Sequence, residues 1–214
     1  TFLLLKIFTT SNFALATTYS KTEPIQAAFF GFILLNEPIS LMGLIGILLG
    51  LAGVVVTSYS KFKNISSAFN YSVLLGLCSG ALFGLSAVLF RAASHDLYVS
   101  NYILSSAFTL LVVIFIQTIV LTFYIYYIDI KQFYLILCNW KYGIIVGFFG
   151  ALASLCWFYA MSIQNVAYVR ALGQIELVFT LLVSIFYFKE KISINEIIGI
   201  GITMTGILII LMYV

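Results

Sequence analysis

Charged residues are scarce in this sequence. Its 214 residues include only ten Lys and Arg and seven Asp and Glu, so 8% are charged, whereas 63% are hydrophobic and the mean hydropathy is +1.16. Soluble domains average about a quarter charged residues and about half apolar ones. So few polar groups cannot cover the surface of a water-soluble domain of this size. The composition therefore predicts a membrane protein, with the lipid bilayer as its solvent.

Histidine, cysteine and aspartate are also rare. The single histidine and the three cysteines are His95, Cys78, Cys138 and Cys156, and the sequence holds neither a CxxC nor an HExxH motif. Asp96 and Asp129, the only aspartates, lie at the ends of predicted helices. Metal-dependent and aspartyl hydrolysis therefore lack their usual groups. We predict no metal, no cofactor and no enzymatic activity, and the formal net charge of +3 is too small to indicate nucleic-acid binding.

Long apolar runs are the dominant feature. A helix needs about 20 apolar residues to cross a bilayer core of about 30 Å. Seven segments approach or exceed that length, namely residues 13–35, 39–59, 72–90, 101–128, 142–162, 165–188 and 194–214. Residues 1–9 resemble the tail of an eighth helix. Because the chain starts at Thr1 within an apolar run, we expect it to be truncated at its N-terminus.

The chain contains a weak internal repeat. A shift of 153 positions superposes residues 12–54 on residues 165–207, with ten identities. They include two glutamates 14 residues apart in both copies, Glu23 and Glu37 against Glu176 and Glu190, although the sequence has only five glutamates. We therefore predict a remainder of a first repeat at residues 1–60, a linker at 61–70 and a complete five-helix second repeat at 71–214.

The predicted repeats have opposite orientations in the membrane. For each helix of the first copy, the equivalent helix of the second copy, its mate, is the fifth helix after it in the chain. Because that number is odd, mates cross the bilayer in opposite directions. Inverted repeats are common in secondary transporters, since exchanging the conformations of the two halves converts an outward-open state into an inward-open one. The sequence thus predicts an all-α polytopic protein of two inverted repeats, the first of them incomplete.

Two glutamates lie deep within apolar segments. Glu23 and Glu176 are each about ten residues from the ends of their predicted helices, or roughly 15 Å into the membrane. A charge at the centre of a membrane helix costs about 2.5–3.5 kcal/mol on insertion scales, so such groups face the bundle interior, and a functional role is the first hypothesis. Pro24 predicts a kink beside Glu23, because proline cannot donate a backbone hydrogen bond.

Other polar and aromatic residues surround these glutamates. Candidates for substrate binding or coupling are Tyr19, Lys21, Glu23, Trp157, Tyr159, Tyr168, Arg170, Gln174 and Glu176. Two interpretations are open. The lysine and the arginine could pair with the glutamates across the two copies only to neutralise them. Alternatively, one of the carboxylates binds protons or a cationic group of the substrate. The aromatic residues either line a cavity or simply pack.

The sequence resembles the EamA-type transporters of the drug/metabolite transporter superfamily. The resemblance lies in Thr22-Glu23-Pro24, Leu35-Asn36-Glu37-Pro38 and residues 46–53 in one half, and in Gln174-Ile175-Glu176, Lys189-Glu190-Lys191 and residues 199–206 in the other. Three positions depart from the family pattern. Leu177 replaces a usual proline, and Asn36 and Lys189 replace common glycines.

The resemblance implies a ten-helix carrier with a central cavity that moves small amino-acid-like or nucleobase-like metabolites, often together with protons. It also implies a multi-pass protein of a bacterial inner membrane. An intramembrane enzyme, a channel and a non-transporting scaffold are the alternatives. Lysines 61, 63, 131, 141, 189 and 191 fall on one predicted side, which the positive-inside rule places in the cytoplasm, whereas the resembled family favours the opposite orientation. The sequence leaves the oligomeric state open.

Overall fold

A computed structural model of the chain describes residues 19–59, 69–97, 101–189 and 193–213, and every regular element in these ranges is helical. In chain order the helices are α1 (Glu23–Leu35), α2 (Leu41–Tyr59), α3 (Phe69–His95), α4 (Tyr102–Ile128), α5 (Ile130–Cys138), α6 (Trp140–Ile163), α7 (Val166–Leu172), α8 (Glu176–Phe186) and α9 (Ile194–Tyr213). A 3₁₀ turn, Gly173–Ile175, joins α7 to α8.

Within the described ranges, six segments are long and apolar enough to cross a membrane. They are parts of α2, α3, α4, α6 and α9 and the combined stretch Val166–Phe186. The prediction of an all-α polytopic membrane protein is confirmed. The helix tail predicted at residues 1–9 and most of the predicted linker at 61–70 lie outside the described residues.

Three helix predictions need correction. The segment predicted as one helix at 13–35 is interrupted, because α1 begins only at Glu23 after a turn. The segment predicted at 165–188 is divided by the 3₁₀ turn. The connection predicted between residues 128 and 142 is itself mostly helical, as α5. Apolar run length indicated where the chain could cross the membrane, but it does not report breaks in the backbone hydrogen bonds within a run.

The described residues form two compact units. The first contains the chain as far as Leu89 and from Asn165 onward, and the second contains Phe90–Gln164. In the first unit, a buried cluster joins three helices through Ile47, Tyr168 and Ile210. In the second unit, α4 packs on α6, and buried serine hydroxyls contribute hydrogen bonds, among them Ser106 to Ser162 at 3.0 Å.

Glycines allow α2 and α9 to cross in close contact. A Cβ added at Gly46 would lie 2.8 Å from the carbonyl oxygen of Gly206, and one at Gly53 would lie 2.5 Å from that of Gly199. The reciprocal additions at Gly199 and Gly206 would meet the carbonyls of Gly53 and Gly46 at 2.6 Å and 2.5 Å. Small residues of this kind let backbones approach where lipid provides no hydrophobic drive between helices.

Asn36 and Lys189 have left-handed backbone conformations. Both have φ of 52°, and they are the only non-glycine residues with positive φ in the described part of the chain. Asn36 ends α1, and its backbone N–H donates to the carbonyl of Gly31. The two positions are 153 residues apart. Glycine adopts this conformation without a Cβ clash, which explains why the resembled family favours it there.

Serines begin the helices that follow these turns. Ser193 Oγ accepts from the N–H of Glu196 at 3.3 Å, and Glu196 Oε2 accepts from the N–H of Ser193 at 3.0 Å, which completes a capping box at α9. Ser40 Oγ accepts from the N–H of Gly43 at 3.0 Å at the start of α2. Ser40 and Ser193 are also 153 residues apart. The S-x-x-E spacing of Ser193 and Glu196 could have predicted the second cap from the sequence.

We predict that alanine at Gly199 destabilises the protein by about 1–3 kcal/mol, because its Cβ would overlap backbone atoms of α2 that cannot move aside. Thermal unfolding in detergent measures the effect. The matched control is Gly201→Ala in the same helix, where no heavy atom lies within 4 Å of the added Cβ. The close-crossing interpretation is wrong if the two variants lose equal stability.

We predict that Lys189→Gly stabilises the protein by about 1 kcal/mol, since a non-glycine residue in the left-handed region costs roughly 1–2 kcal/mol and glycine recovers only part of this after its greater unfolded-state entropy. Asn36→Gly should gain less, because asparagine tolerates this region better. Chemical or thermal unfolding of both variants provides the test. A loss of stability in Lys189→Gly would contradict it.

Candidate functional site

The candidate site begins at the break before α1. Tyr19 and Ser20 are helical, Lys21 and Thr22 form a turn, and α1 starts at Glu23 with Pro24 in its first turn. The Thr22 hydroxyl donates to the Tyr19 carbonyl at 2.7 Å, and the Thr22 N–H donates to the same carbonyl at 3.2 Å. Proline fits the first turn of a helix because the N–H it lacks has no partner there. The predicted proline kink is thus a complete break.

A second break occupies the matching position in the other copy. The 3₁₀ turn Gly173–Ile175 lies 153 residues after Ser20–Thr22, and α8 begins at Glu176 as α1 begins at Glu23. No proline is present at this second break. A short 3₁₀ stretch within a helix is typical of hinges and functional sites. Both deep glutamates therefore stand at the first turn of a helix that restarts inside an apolar segment.

Two ion pairs link the breaks. Arg170 Nε lies 2.9 Å from Glu23 Oε1, and the two side chains are 20% and 18% exposed. Lys21 Nζ contacts Glu176 Oε1, with exposures of 32% and 58%. Each glutamate is thus paired with a cation from the segment around the other break. The pairing across copies that the sequence left as one interpretation is present, and the Glu23 pair is the more deeply buried of the two.

Backbone and amide contacts lie between the same breaks. Gln174 Nε2 donates to the Lys21 carbonyl at 3.5 Å, and these two residues are 153 positions apart. Thr203 Oγ1 donates to the Gly50 carbonyl, also at 3.5 Å and also across 153 positions. Both contacts therefore join positions that the 153-residue offset pairs in the sequence.

Helix α3 closes one side of the first break. A Cβ at Gly80 would lie 3.0 Å from the Ser20 carbonyl, and one at Gly84 would lie 3.1 Å from the Ala27 nitrogen. Gln26 Nε2 donates to the Leu77 carbonyl at 3.3 Å, so a polar side chain also joins α1 to α3. The repeated glycines of α3 allow the interrupted backbone to lie directly on this helix.

Tyr168 is buried and forms hydrogen bonds at the start of α2, and its predicted role at the substrate site stays a prediction. Its side chain is only 5% exposed. The hydroxyl accepts from the Ser40 N–H at 2.9 Å and lies 3.3 Å from Ser40 Oγ, and the ring lies against Gly43. Tyr168 therefore holds the N-terminus of α2 in place. Its position two residues before Arg170 fixes the helix that carries the arginine.

The remaining candidates divide between the two units. Tyr19 belongs to the helical turn before the first break. Trp157 and Tyr159, which are 36% and 37% exposed, belong to α6 in the second unit, whereas the ion pairs are built from the first unit alone. Whether these aromatic residues line a cavity stays a prediction.

In the second unit, two polar side chains of α3 contact backbone carbonyls at the C-terminal end of α6, and these contacts were not predicted from the sequence. Arg91 Nη1 donates to the carbonyls of Met161 and Gln164 at 2.6 Å and 2.8 Å. His95, the last residue of α3, is exposed, and its Nε2 lies 2.9 Å from the Ser162 carbonyl. Arg91 and His95 lie four residues apart on α3 and therefore on one face of that helix, and this spacing could have predicted that they share a partner. Both satisfy carbonyls that the end of a helix leaves unpaired.

No group of three potential metal ligands occurs in the described ranges, and the three cysteines are free thiols. The sequence model of the EamA-like transporter family matches residues 1–59 and 70–212 of the chain. Comparison with curated proteins gives no significant match. The match spans nearly the whole chain, and six apolar spans accompany it. The protein therefore belongs to the EamA-like transporter family, within the drug/metabolite transporter superfamily.

Proposed function

We propose that this protein is a secondary transporter that moves a small metabolite by alternating access, with its substrate site at the two helix breaks. The observation that carries the proposal is the pair of reciprocal ion pairs, Lys21 to Glu176 and Arg170 to Glu23, at these breaks. Charged groups within membrane segments usually mark substrate or ion pathways. Broken helices near the bilayer midplane form the binding sites of several transporter folds.

Inverted repeats supply the proposed mechanism. The family model matches the chain in two stretches, and the contacts Lys21 to Gln174 and Gly50 to Thr203 join positions 153 residues apart. Helix α5 has nine residues and rises about 14 Å, which is too short to cross a bilayer core of about 30 Å. With α5 left out of the count, the predicted odd number of helix steps between mates is unchanged, which supports inverted repeats.

The charges at the breaks favour a substrate that is neutral overall but carries both signs. Two cations and two carboxylates balance within the cluster, and Lys21 interacts electrostatically with Glu23 and Arg170 as well as with Glu176. An amino-acid-like zwitterion could exchange its carboxylate for one glutamate and its ammonium group for one of the cations. A nucleobase-like substrate would instead use the amide of Gln174. Proton coupling would act through Glu23, the more buried carboxylate.

The proposal extends to location. The six apolar spans and the family assign the protein to a membrane as a multi-pass protein. We place it in a bacterial inner membrane, where α-helical carriers with single-chain repeats operate.

We predict that Glu23→Gln lowers transport by at least about tenfold, because it leaves the Arg170 guanidinium without its carboxylate. Glu176→Gln should have a smaller effect, since Glu176 is 58% exposed. Saturable uptake of a metabolite panel into reconstituted vesicles, measured from pH 5.5 to pH 8.5, provides the readout.

The matched control is Glu196→Gln, because glutamine also completes a capping box and Glu196 lies at the start of α9. Unchanged rates and unchanged pH dependence in both Glu23→Gln and Glu176→Gln would exclude these carboxylates from transport. Flux that never saturates would favour a channel, and no flux for any solute would favour a scaffold.

Exchanging the charges of Glu23 and Arg170 distinguishes an ion pair that only neutralises itself from one that also binds the substrate. We predict that Glu23→Arg and Arg170→Glu each destabilise the protein by about 3–5 kcal/mol, whereas the double variant recovers most of that stability because the pair is re-formed with reversed polarity. Transport should stay low in the double variant, because the charges presented to the substrate are reversed. Recovery of both stability and transport would show that the pair only neutralises itself.

A further inference from the structure

Helix α5 is a short helix between two membrane spans. Its nine residues follow α4 after the single residue Asp129, and α6 begins after the single residue Asn139. Asp129 has φ of −146° and ψ of 86°, which is not helical, so the axis of α4 cannot continue into α5. Spans α4 and α6 pack on each other. A short helix joined so tightly to two packed spans lies at the end of the pair, where the membrane meets water.

The two faces of α5 differ in polarity. At 100° per residue, Lys131 and Gln132 fall on one side with Leu135 between them, and Ile130, Phe133 and Tyr134 fall on the other. Ile130 and Tyr134 are 46% and 61% exposed, so the apolar side is not covered by the described part of the chain. An amphipathic helix of this kind places its apolar face at the boundary between headgroups and acyl chains.

Aromatic rings mark the same level. Phe133 makes edge contacts with Tyr126 and Tyr134, with ring centroids 5.8 Å and 6.2 Å apart, and Trp140 begins α6 with 56% of its surface exposed. Tyrosine and tryptophan are enriched at membrane–water interfaces, because their rings are amphipathic. The rings around α5 thus place this helix at the depth of the lipid headgroups, and this argument does not depend on the length of the helix.

The charge around α5 is positive. Lys131 and Lys141 are both exposed. Asp129 is the only acidic residue from position 129 to 141, and its Oδ1 accepts from the N–H groups of Lys131 and Gln132 at 3.1 Å and 3.2 Å. The carboxylate therefore caps α5 and is turned toward its backbone. Two lysines at headgroup depth remain for an anionic partner, and each lysine near an anionic membrane surface contributes about 1 kcal/mol.

We propose that α5 is a lipid-binding surface on which Lys131 and Lys141 hold the phosphate groups of anionic phospholipids, with the apolar face of the helix among the acyl chains. The partner is the surrounding membrane, because the exposed lysines stand beside exposed apolar and aromatic side chains. The surface selects phosphatidylglycerol-like headgroups over zwitterionic ones. This function is separate from transport and does not depend on the substrate site.

The chain's two tryptophans allow a direct test. Trp157→Phe leaves Trp140, two residues after the end of α5, as the only tryptophan. This variant is reconstituted in vesicles that contain brominated phosphatidylglycerol or brominated phosphatidylcholine, and quenching of Trp140 reports which lipid lies beside α5. Phosphatidylglycerol should quench at a lower mole fraction, with a selectivity of about fivefold for each lysine and so about 25-fold for the two together. Bromines near the headgroup should quench more strongly than bromines at the acyl terminus.

Variants then assign the selectivity to residues. Lys131→Gln combined with Lys141→Gln should bring the selectivity close to one, whereas Gln132→Ala, on the same polar side, should leave it unchanged. Raising the salt concentration to 0.5 M should also reduce it, since exposed charges are screened. Equal quenching by the two lipids in the lysine-containing protein would overturn the proposal. Selectivity that survives the double substitution, or strongest quenching by acyl-terminal bromines, would overturn it as well.

Discussion

Neutralising the charges of Glu23 and Glu176 is the requirement on which the organisation of the first unit depends. An isolated carboxylate within an apolar bundle is unstable, and each glutamate finds its cation in the opposite copy. The ion pairs therefore bring the segment 19–23 beside the segment 170–176. The helix breaks make the pairing possible, because a turn at Lys21 and a 3₁₀ stretch before Glu176 redirect the charged side chains within otherwise apolar segments.

The close contact of α2 and α9 at their glycines is the second interaction that positions the two breaks. Helices that touch at Gly46, Gly53, Gly199 and Gly206 are held in one register, since each close contact fixes their relative positions along both axes. A Cβ added at Gly50 would lie 2.8 Å from Gln174 Oε1, so the second break also contacts α2 near this crossing. Alignment of the breaks thus depends on backbone contacts and not only on the attraction between opposite charges.

The sequence predicted the helical membrane fold and named all four ion-pair residues as candidates, because charges are so rare in it that each one carries information. Asn36 and Lys189 were also visible, as departures from a glycine pattern that the left-handed backbone explains. Other features depend on contacts that no local pattern contains. The second break has no proline, and the hydroxyl of Tyr168 finds its partner at Ser40, 128 residues away. Helix α5 was read as a connection because nine residues are too few for a span.

Reciprocal pairing also has a consequence for the proposed transport cycle. Because each ion pair joins one copy to the other, any motion that separates the copies at the breaks weakens both pairs together. Such a motion exposes charges unless another molecule replaces the lost partners, so an empty carrier resists it. A substrate that carries both signs of charge offers replacement partners to both copies, and it can shift the equilibrium only by its preference for the separated state. The groups that hold the two copies together would then be the groups that make their movement depend on substrate.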